Sequence, residues 1–159
     1  MKQFLISRNS KLRKAFDVTD TNGRIRYSAK YTIRSFSEAI EIFDDKLELQ
    51  AIIKRIINPI LPSYKVMITG EEPFTITRKF GFCVEYSVKG LSLTIKTDSR
   101  CENYLIDDNN GNTLFVISKA YGDIKDKYVV KNCLSENDLL GICIAFAVEA
   151  AVNAIRSVK

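Results

Sequence analysis

Residues 139–159 read LLGICIAFAVEAAVNAIRSVK, and this stretch decides the fold. It contains one glycine and no proline, and Ser135 and Asp138 precede it as a candidate cap and as an acid suited to a helix N-terminus. The pattern predicts a helix over residues 135–158, roughly 36 Å long at ~1.5 Å per residue. From Leu139 to Val148 the helix is apolar on every side, which indicates that other structure encloses it.

The chain that precedes this helix alternates between apolar and polar residues with the period of a β-strand. The alternating segments are rich in Val, Ile, Thr, Phe and Tyr, the residues that favour strands. About twelve strands are predicted between residues 2 and 132. They are KQFLISR, KAFDVTD, RIRYSAK, AIEIFDD, LELQAIIK, YKVMITG, FTITRKF, CVEYSV, LSLTIKT, ENYLIDD, TLFVISK and KYVVKN.

Short polar segments separate these strands and indicate hairpins, hence an antiparallel sheet. The strongest turn signals are 20–23 (DTNG) and 109–112 (NNGN), because Asn-Gly tolerates the positive φ of hairpin turns. Segments 44–46 (DDK) and 70–72 (GEE) predict two further turns. The sequence also contains a weak internal repeat. Its unit is a strand, a turn with an acidic residue or a glycine, a second strand and a final base. Its four copies are FDVTDTNGRIRYSAK, IEIFDDKLELQAIIK, YKVMITGEEPFTITRK and YLIDDNNGNTLFVISK.

The length and composition are those of one soluble globular domain spanning residues 1–159. Apolar residues make up 46% of the chain and charged residues 27%. An eight-stranded barrel is just filled by side chains, whereas about twelve strands leave a wider lumen that a helix about 10 Å across can fill. We therefore expect an all-β fold with one helix: a closed antiparallel barrel around a central hydrophobic C-terminal helix. A transmembrane tail is the alternative, but it would leave the strands in need of another core.

The second half of the helix carries polar residues on one stripe. Glu149, Asn153 and Arg156 are spaced four and three apart, as on one helix face. A carboxylate inside an apolar segment has to be paired, hydrogen-bonded or protonated. We expect Glu149 to pair with a base or a tyrosine hydroxyl of the barrel wall. A ligand site at Glu149 and Asn153 is the other interpretation.

The missing residue types exclude much chemistry. Histidine is absent, which removes Ser-His-Asp triads, Cys-His dyads and His-ligated metal sites. The four cysteines (Cys83, Cys101, Cys133 and Cys143) form no CxxC pair and predict reduced, mostly buried thiols. The N-terminus has no secretory signal, which favours a cytoplasmic protein. We expect no metal, no cofactor and no catalytic residues, hence a non-enzymatic protein.

The order of segments resembles the LURP-one-related family, including its small bacterial members. The matching stretches are 61–66 (LPSYKV), 78–82 (RKFGF), 117–121 (ISKAY) and 126–130 (DKYVV), followed by the apolar helix with Glu149. Many relatives carry a tryptophan after the Ser-Lys, where this chain offers Tyr121. The family belongs to the tubby-like superfamily, together with the tubby C-terminal domain and the phospholipid scramblases. The resemblance implies a twelve-stranded barrel around a hydrophobic helix and, by analogy with tubby, phosphoinositide binding through clustered bases.

The charge is concentrated near the N-terminus. Residues 1–34 hold nine Lys and Arg and two Asp, a net charge of +7, whereas the remainder nets −2. Sequential hairpins are neighbours in space, so these bases can form one patch for an anionic partner. A solvated, solubilising surface with bases on both faces of the sheet is the other interpretation. The predicted lipid- or anion-binding residues are Arg8, Lys11, Arg13, Lys14, Arg24 and Arg26.

These observations favour binding to anionic phospholipid headgroups at a membrane surface. The stretch from Arg8 to Lys14 has four bases and Leu12, a combination that suits a lipid surface. Nucleic acid is a poorer partner because no aromatic platform or recognition helix accompanies the bases. A protein-interaction scaffold without a lipid ligand is the alternative, and exposed apolar side chains on an edge strand would favour it.

Overall fold

Each alternating segment of the sequence forms a strand in the computed structural model. The structure describes residues 2–12, 14–34, 37–57, 60–79, 85–98, 103–119, 128–134 and 137–156, with only the backbone of residue 34 and residues 150–156. Within these ranges it contains twelve strands and one helix. They are β1 (Lys2–Arg8), β2 (Ala15–Thr19), β3 (Ile25–Arg34), β4 (Ser37–Asp44), β5 (Leu49–Ile56), β6 (Ser63–Ile68), β7 (Phe74–Lys79), β8 (Glu85–Lys89), β9 (Thr94–Thr97), β10 (Asn103–Asp107), β11 (Thr113–Lys119), β12 (Tyr128–Asn132) and α1 (Asp138–Arg156).

The strands form one closed antiparallel barrel in which sequence neighbours are also neighbours in space. The first and last strands close it, with Lys2 opposite Asn132 and Ile6 opposite Tyr128. One set of alternating side chains on each strand faces inward, such as Ala51 and Ile53 on β5. The predicted fold class is thus confirmed.

Helix α1 starts three residues later than the sequence indicated. Asn137 is its cap: the Asn137 side-chain oxygen accepts a hydrogen bond from the Leu140 backbone amide at 3.1 Å. Ser135, our expected cap, lies outside the described residues, and the carboxamide of Asn137 fills that role. Asp138 stands in the first turn, as expected for an acid at a helix N-terminus.

The apolar half of α1 is the core of the barrel. Every residue from Gly141 to Val148 is buried, and α1 lies closest to β5, β6, β7 and β12. The Phe146 ring meets the Phe16 ring of β2 edge-on, with centroids 5.8 Å apart. The enclosure expected for Leu139–Val148 holds, with the first two leucines only partly buried.

Gly141 allows α1 to touch the barrel wall. A Cβ atom added at Gly141 would lie 2.4 and 2.5 Å from two ring carbons of Phe115 on β11. Phe115 is itself completely buried, so its ring has no free space into which to move. Glycine at this position therefore lowers the helix propensity of α1 but allows the helix to pack closely against the wall.

The barrel has two distinct ends because every hairpin reverses the chain. The turn end carries the connections at residues 20–24, 45–48, 69–73, 90–93 and 108–112, together with the start of α1. The far end is where β1, β3, β5, β7, β9 and β11 finish. Polar contacts fasten α1 at the turn end. The Lys2 ammonium lies 3.1 Å from the Asp138 carboxylate, and Asn137 donates to the Glu71 carboxylate at 2.8 Å.

Three of the hairpin turns have the same construction. An aspartate opens each turn, and its side-chain oxygen accepts hydrogen bonds of 2.9–3.0 Å from the backbone amides two and four residues later. The residue at the fourth position has a left-handed φ. It is Gly23 (77°) and Gly111 (81°) in two turns, but Leu47 (63°) in the third. Leu47 is also 77% exposed, so no packing compensates for its backbone conformation.

Replacing Gly141 by alanine tests the helix–wall contact. Alanine gains about 1 kcal/mol of helix propensity, but overpacking a full core costs about 1–3 kcal/mol. We expect Gly141→Ala to lower the free energy of unfolding by up to about 2 kcal/mol in urea denaturation followed by circular dichroism. In a Phe115→Leu background the same change should cost less. An increase in stability on Gly141→Ala alone would contradict the contact.

Replacing Leu47 by glycine tests the left-handed turn position. The conformation costs a residue with a Cβ atom about 1–2 kcal/mol. We expect Leu47→Gly to raise the free energy of unfolding by about 1 kcal/mol in thermal denaturation. Gly23→Ala, at the equivalent position of the first turn, is the matched control and should be destabilising. The interpretation fails if both substitutions change stability in the same direction.

Candidate anion-binding site

The two ends of the barrel differ in charge. The aspartates and glutamates of the hairpin turns gather at the turn end, and four of the bases there form ion pairs. These ion pairs are Lys2–Asp138 at 3.1 Å, Arg24–Asp45 at 3.7 Å, Arg26–Asp20 at 3.9 Å and Lys96–Asp107 at 3.1 Å. The far-end halves of the strands and the connection between β1 and β2 carry mostly bases. Among the described side chains these are Arg8, Lys11, Lys14, Lys30, Lys54, Arg55, Lys65, Arg78, Lys79 and Lys119, against Glu38, Glu41, Glu85 and Asp98.

The structure divides the six predicted binding residues between these ends. Arg8, Lys11 and Lys14 are exposed at the far end, where β1 passes into β2. Arg24 and Arg26 lie at the turn end, the whole length of β2 away, because the hairpin has reversed the chain. The remaining predicted residue, Arg13, lies outside the described residues. Sequence proximity therefore misled us about the spatial grouping.

Asn9 shapes the connection that presents Lys11 and Lys14. Its side-chain oxygen accepts hydrogen bonds from the backbone amides of Lys11 at 2.8 Å and Leu12 at 2.9 Å. Its amide group donates to the Asp17 carboxylate at 3.2 Å. Lys14 adopts a left-handed φ of 58°, and its ammonium lies 5.8 Å from the centre of the Tyr31 ring on β3. The loop thus holds its bases in an ordered arrangement.

A second group of bases lies on the outer surface of the barrel, and the sequence did not indicate them as binding residues. Lys54 on β5 and Lys65 on β6 are exposed and stand directly opposite each other in the antiparallel register. Lys30 on β3 is also exposed but faces Glu41 of β4. Like charges in direct cross-strand opposition destabilise a sheet, so the Lys54–Lys65 pair is unusual. The alternation placed each lysine on an outer face, but only the register brings them together.

Tyrosines line the inner wall towards the far end. Burial raises the pKa of Tyr64 to about 12, with the Glu38 carboxylate adding to the effect and the Arg55 guanidinium opposing it. Burial, together with a hydrogen bond to Glu38, also raises the pKa of Tyr31 above its usual range. Glu38 in turn lies 3.4 Å from the Arg55 guanidinium. These phenols are neutral at physiological pH and serve as hydrogen-bonding groups.

Glu149 lies beside this tyrosine lining. Burial raises the pKa of Tyr86, and the Tyr104 hydroxyl and the charge of Glu149 raise it further. The Tyr86 hydroxyl also donates to the Val148 carbonyl oxygen at 3.4 Å. Glu149 is half-buried rather than fully enclosed. A ligand role for Glu149 stays a prediction, and the side chain of Asn153, its expected companion, lies outside the described residues.

The cysteines and acids form no metal centre in the described ranges. Cys143 is completely buried in α1, and burial raises the pKa of its thiol, which makes it inert. Cys133 is a half-buried free thiol, while Cys83 and Cys101 lie outside the described residues. No group of three or more Cys, Asp or Glu side chains with metal-binding geometry occurs in the part of the chain that the structure describes. Nor is any helix in these ranges both long and apolar enough to cross a membrane.

Comparison with solved structures identifies a chain with the same architecture. An X-ray structure of the Arabidopsis thaliana protein AT5G01750, a plant LURP-one-related protein, superposes with a TM-score of 0.64. The alignment covers 96% of this chain and 91% of the plant protein, at 12% sequence identity. No family model matches the sequence, and no curated protein matches it either. At this identity the likeness shows a shared fold, the closed barrel with one C-terminal helix.

Proposed function

We propose that this chain is a non-enzymatic domain that binds anionic phospholipid headgroups at a membrane surface through the bases of its far end. The observation that carries the proposal is the asymmetry of charge between the two ends. Four turn-end bases have a carboxylate within 4 Å, and the hairpin turns add further acids there, whereas the far end presents Lys11, Lys14, Lys54 and Lys65 on its surface. Each Lys or Arg near an anionic membrane contributes about 1 kcal/mol of attraction.

The Lys54–Lys65 pair supports an anionic partner. Directly opposed like charges cost a sheet about 0.2–1 kcal/mol relative to a neutral pair. A bound anion between or above them turns this cost into binding free energy, because it interacts with both ammonium groups. A pair that only kept the surface hydrated would not need to be opposed in register.

The internal repeat explains how the sequence builds this asymmetry. In each copy, one strand runs along the barrel wall to a turn, and the next strand returns beside it and ends with a base. The turns place their acids at the turn end, and the closing bases (Lys30, Lys54, Lys79 and Lys119) all lie towards the far end. The polarity is therefore distributed around the barrel and does not depend on the N-terminal segment alone. A broad, flat partner such as a membrane surface suits a ring of charge better than a small ligand does.

The scaffold alternative loses its expected support from the fold. We expected a protein partner to be favoured by apolar side chains on an edge strand. Within the described residues each strand is hydrogen-bonded to a neighbour on both sides, so no free edge is offered for strand addition. The proposed setting is a cytoplasmic protein that associates peripherally with the membrane.

Charge reversal at the far end tests the proposal. We expect Lys11→Glu/Lys14→Glu to reduce co-flotation with vesicles containing anionic lipid by at least about tenfold, since up to four units of charge are changed at about 1 kcal/mol each. Binding of the unmodified chain should weaken with salt, and neutral vesicles should not bind it. Lys46→Glu/Lys131→Glu, an equal change towards the turn end, is the control. Equal losses in the two double variants, or no flotation of the unmodified chain at low salt, would overturn the proposal.

Lys65→Glu separates binding from stability. The substitution replaces a like-charge pair by an opposite-charge pair, so we expect the free energy of unfolding to rise by about 0.5 kcal/mol. Vesicle binding should fall at the same time. A structural role for Lys65 predicts the reverse: lower stability, with any loss of binding following from it. Denaturation and flotation of the same preparation distinguish the two.

A further inference from the structure

Large aliphatic side chains protrude from the far end beside its bases. Ile57 is 87% exposed, Ile60 72% and Ile33 65%, and Leu12 and Ile56 are also exposed. Burying such side chains is favourable, so several of them exposed together indicate a surface that meets an apolar partner. They occur where strands end and in the connections that follow, the positions that stand furthest out along the barrel axis.

These aliphatic residues form one region of the barrel. Ile33 is the next-to-last residue of β3, and the β3–β4 hairpin is tied to β5 by the Ser37 hydroxyl, which donates to the Arg55 carbonyl oxygen at 3.2 Å. Ile56 and Ile57 follow Arg55 directly, and Ile60 lies in the same connection. The β1–β2 connection joins the group because the Tyr31 backbone amide donates to the Lys14 carbonyl oxygen at 2.9 Å. We name Leu12, Ile33, Ile56, Ile57 and Ile60 the aliphatic rim.

We propose that the aliphatic rim inserts into the apolar layer of an anionic bilayer while the neighbouring lysines contact the headgroups. This inference rests on the proposed function and adds its orientation: the barrel stands with the far end in the membrane and the turn end away from it. Side chains with apolar tips beside bases match the two layers of a lipid surface, headgroups outside and acyl chains beneath. Insertion also adds a component of binding that salt does not screen.

Charge selects this end over the other one. The turn end also exposes aliphatic side chains, namely Ile25, Leu47, Leu49 and Leu134. Leu47 and Leu49 lie among the acids of the β4–β5 turn, Asp44, Asp45 and Glu48, and an anionic surface repels these acids. Among the described residues, the far end is where apolar side chains stand beside an excess of bases. The occupant we infer is therefore a bilayer rather than a groove-binding peptide or a second barrel.

The absence of tryptophan from the sequence provides a clean spectroscopic test. We expect the single tryptophan of Ile57→Trp to shift its emission to shorter wavelength when vesicles containing anionic lipid are added. Lipids brominated on the acyl chains should quench it. Leu47→Trp, exposed to a similar degree at the turn end, is the matched control and should respond to neither. Because tryptophan itself favours membrane interfaces, the control also measures what the indole alone contributes.

Removing the exposed aliphatic side chains is the second test of insertion. Ile57→Ser/Ile60→Ser should weaken vesicle partitioning by at least about tenfold at ~0.15 M salt, where charge attraction is reduced, and Leu47→Ser should not. Circular dichroism of the variants excludes unfolding as the cause, since these side chains are exposed and contribute little to the core.

The outcomes separate this inference from the proposed function. Flotation of the unmodified chain with no change in the emission of Ile57→Trp, or with full release by salt, overturns insertion but leaves headgroup binding intact. A response of Leu47→Trp instead places the wrong end in the membrane and overturns the orientation. No flotation at low salt overturns both. In that case, a shift of the unmodified chain to a dimer in sedimentation, lost in Ile57→Ser/Ile60→Ser, would assign the aliphatic rim to contacts between copies.

Discussion

The enclosure of α1 by the barrel is the constraint on which the rest of the structure depends. Twelve strands closed in a ring surround more space than their own side chains fill, and an empty lumen would forfeit packing contacts along every strand. The stretch from Gly141 to Val148 supplies those contacts on all sides. Conversely, a helix with no polar face in that stretch has no place in water. The helix fills the lumen of the barrel, and the barrel removes the apolar surface of the helix from water.

This mutual dependence limits where function can reside. Because side chains of α1 such as Phe146 pack against the wall, the interior is occupied by the protein itself. Among the described side chains of the interior, burial raises the pKa of the Tyr86 hydroxyl and of the Cys143 thiol, so both groups are neutral at physiological pH. The outer surface and the two ends are the parts of the barrel that a partner can reach without displacing α1. The barrel serves as a rigid support for loops, and its stability can be changed at Gly141 without altering the surface.

The sequence predicted what depends on local patterns and failed where distant residues meet. Strand alternation and Asn-Gly turns are local, so the strands and hairpins were predicted individually, and the apolar helix indicated what fills the barrel. Placing Arg24 and Arg26 with Lys11 and Lys14 was wrong because it used distance along the chain, whereas a hairpin sends consecutive turns to opposite ends. The Lys54–Lys65 opposition depends on register, which no single strand specifies. Asn137 was passed over as a cap because Ser135 lies in an equally plausible position and only the helix phase distinguishes them.

The polarity of the barrel follows from its meander topology together with the repeat. In any barrel of sequential hairpins, alternate connections lie at opposite ends, so a two-strand repeat with an acid in its turn and a base at its close separates charge automatically. The separation matters because β2 and β4, at five and eight residues, are about 17 and 26 Å long, two to three times the Debye length of about 8 Å at physiological ionic strength. The two ends are thus electrostatically independent in solution, and the formal net charge of +5 describes neither of them. The force between the barrel and an anionic surface depends on which end faces that surface. A modest net charge is therefore compatible with strong attraction of the far end and repulsion of the turn end.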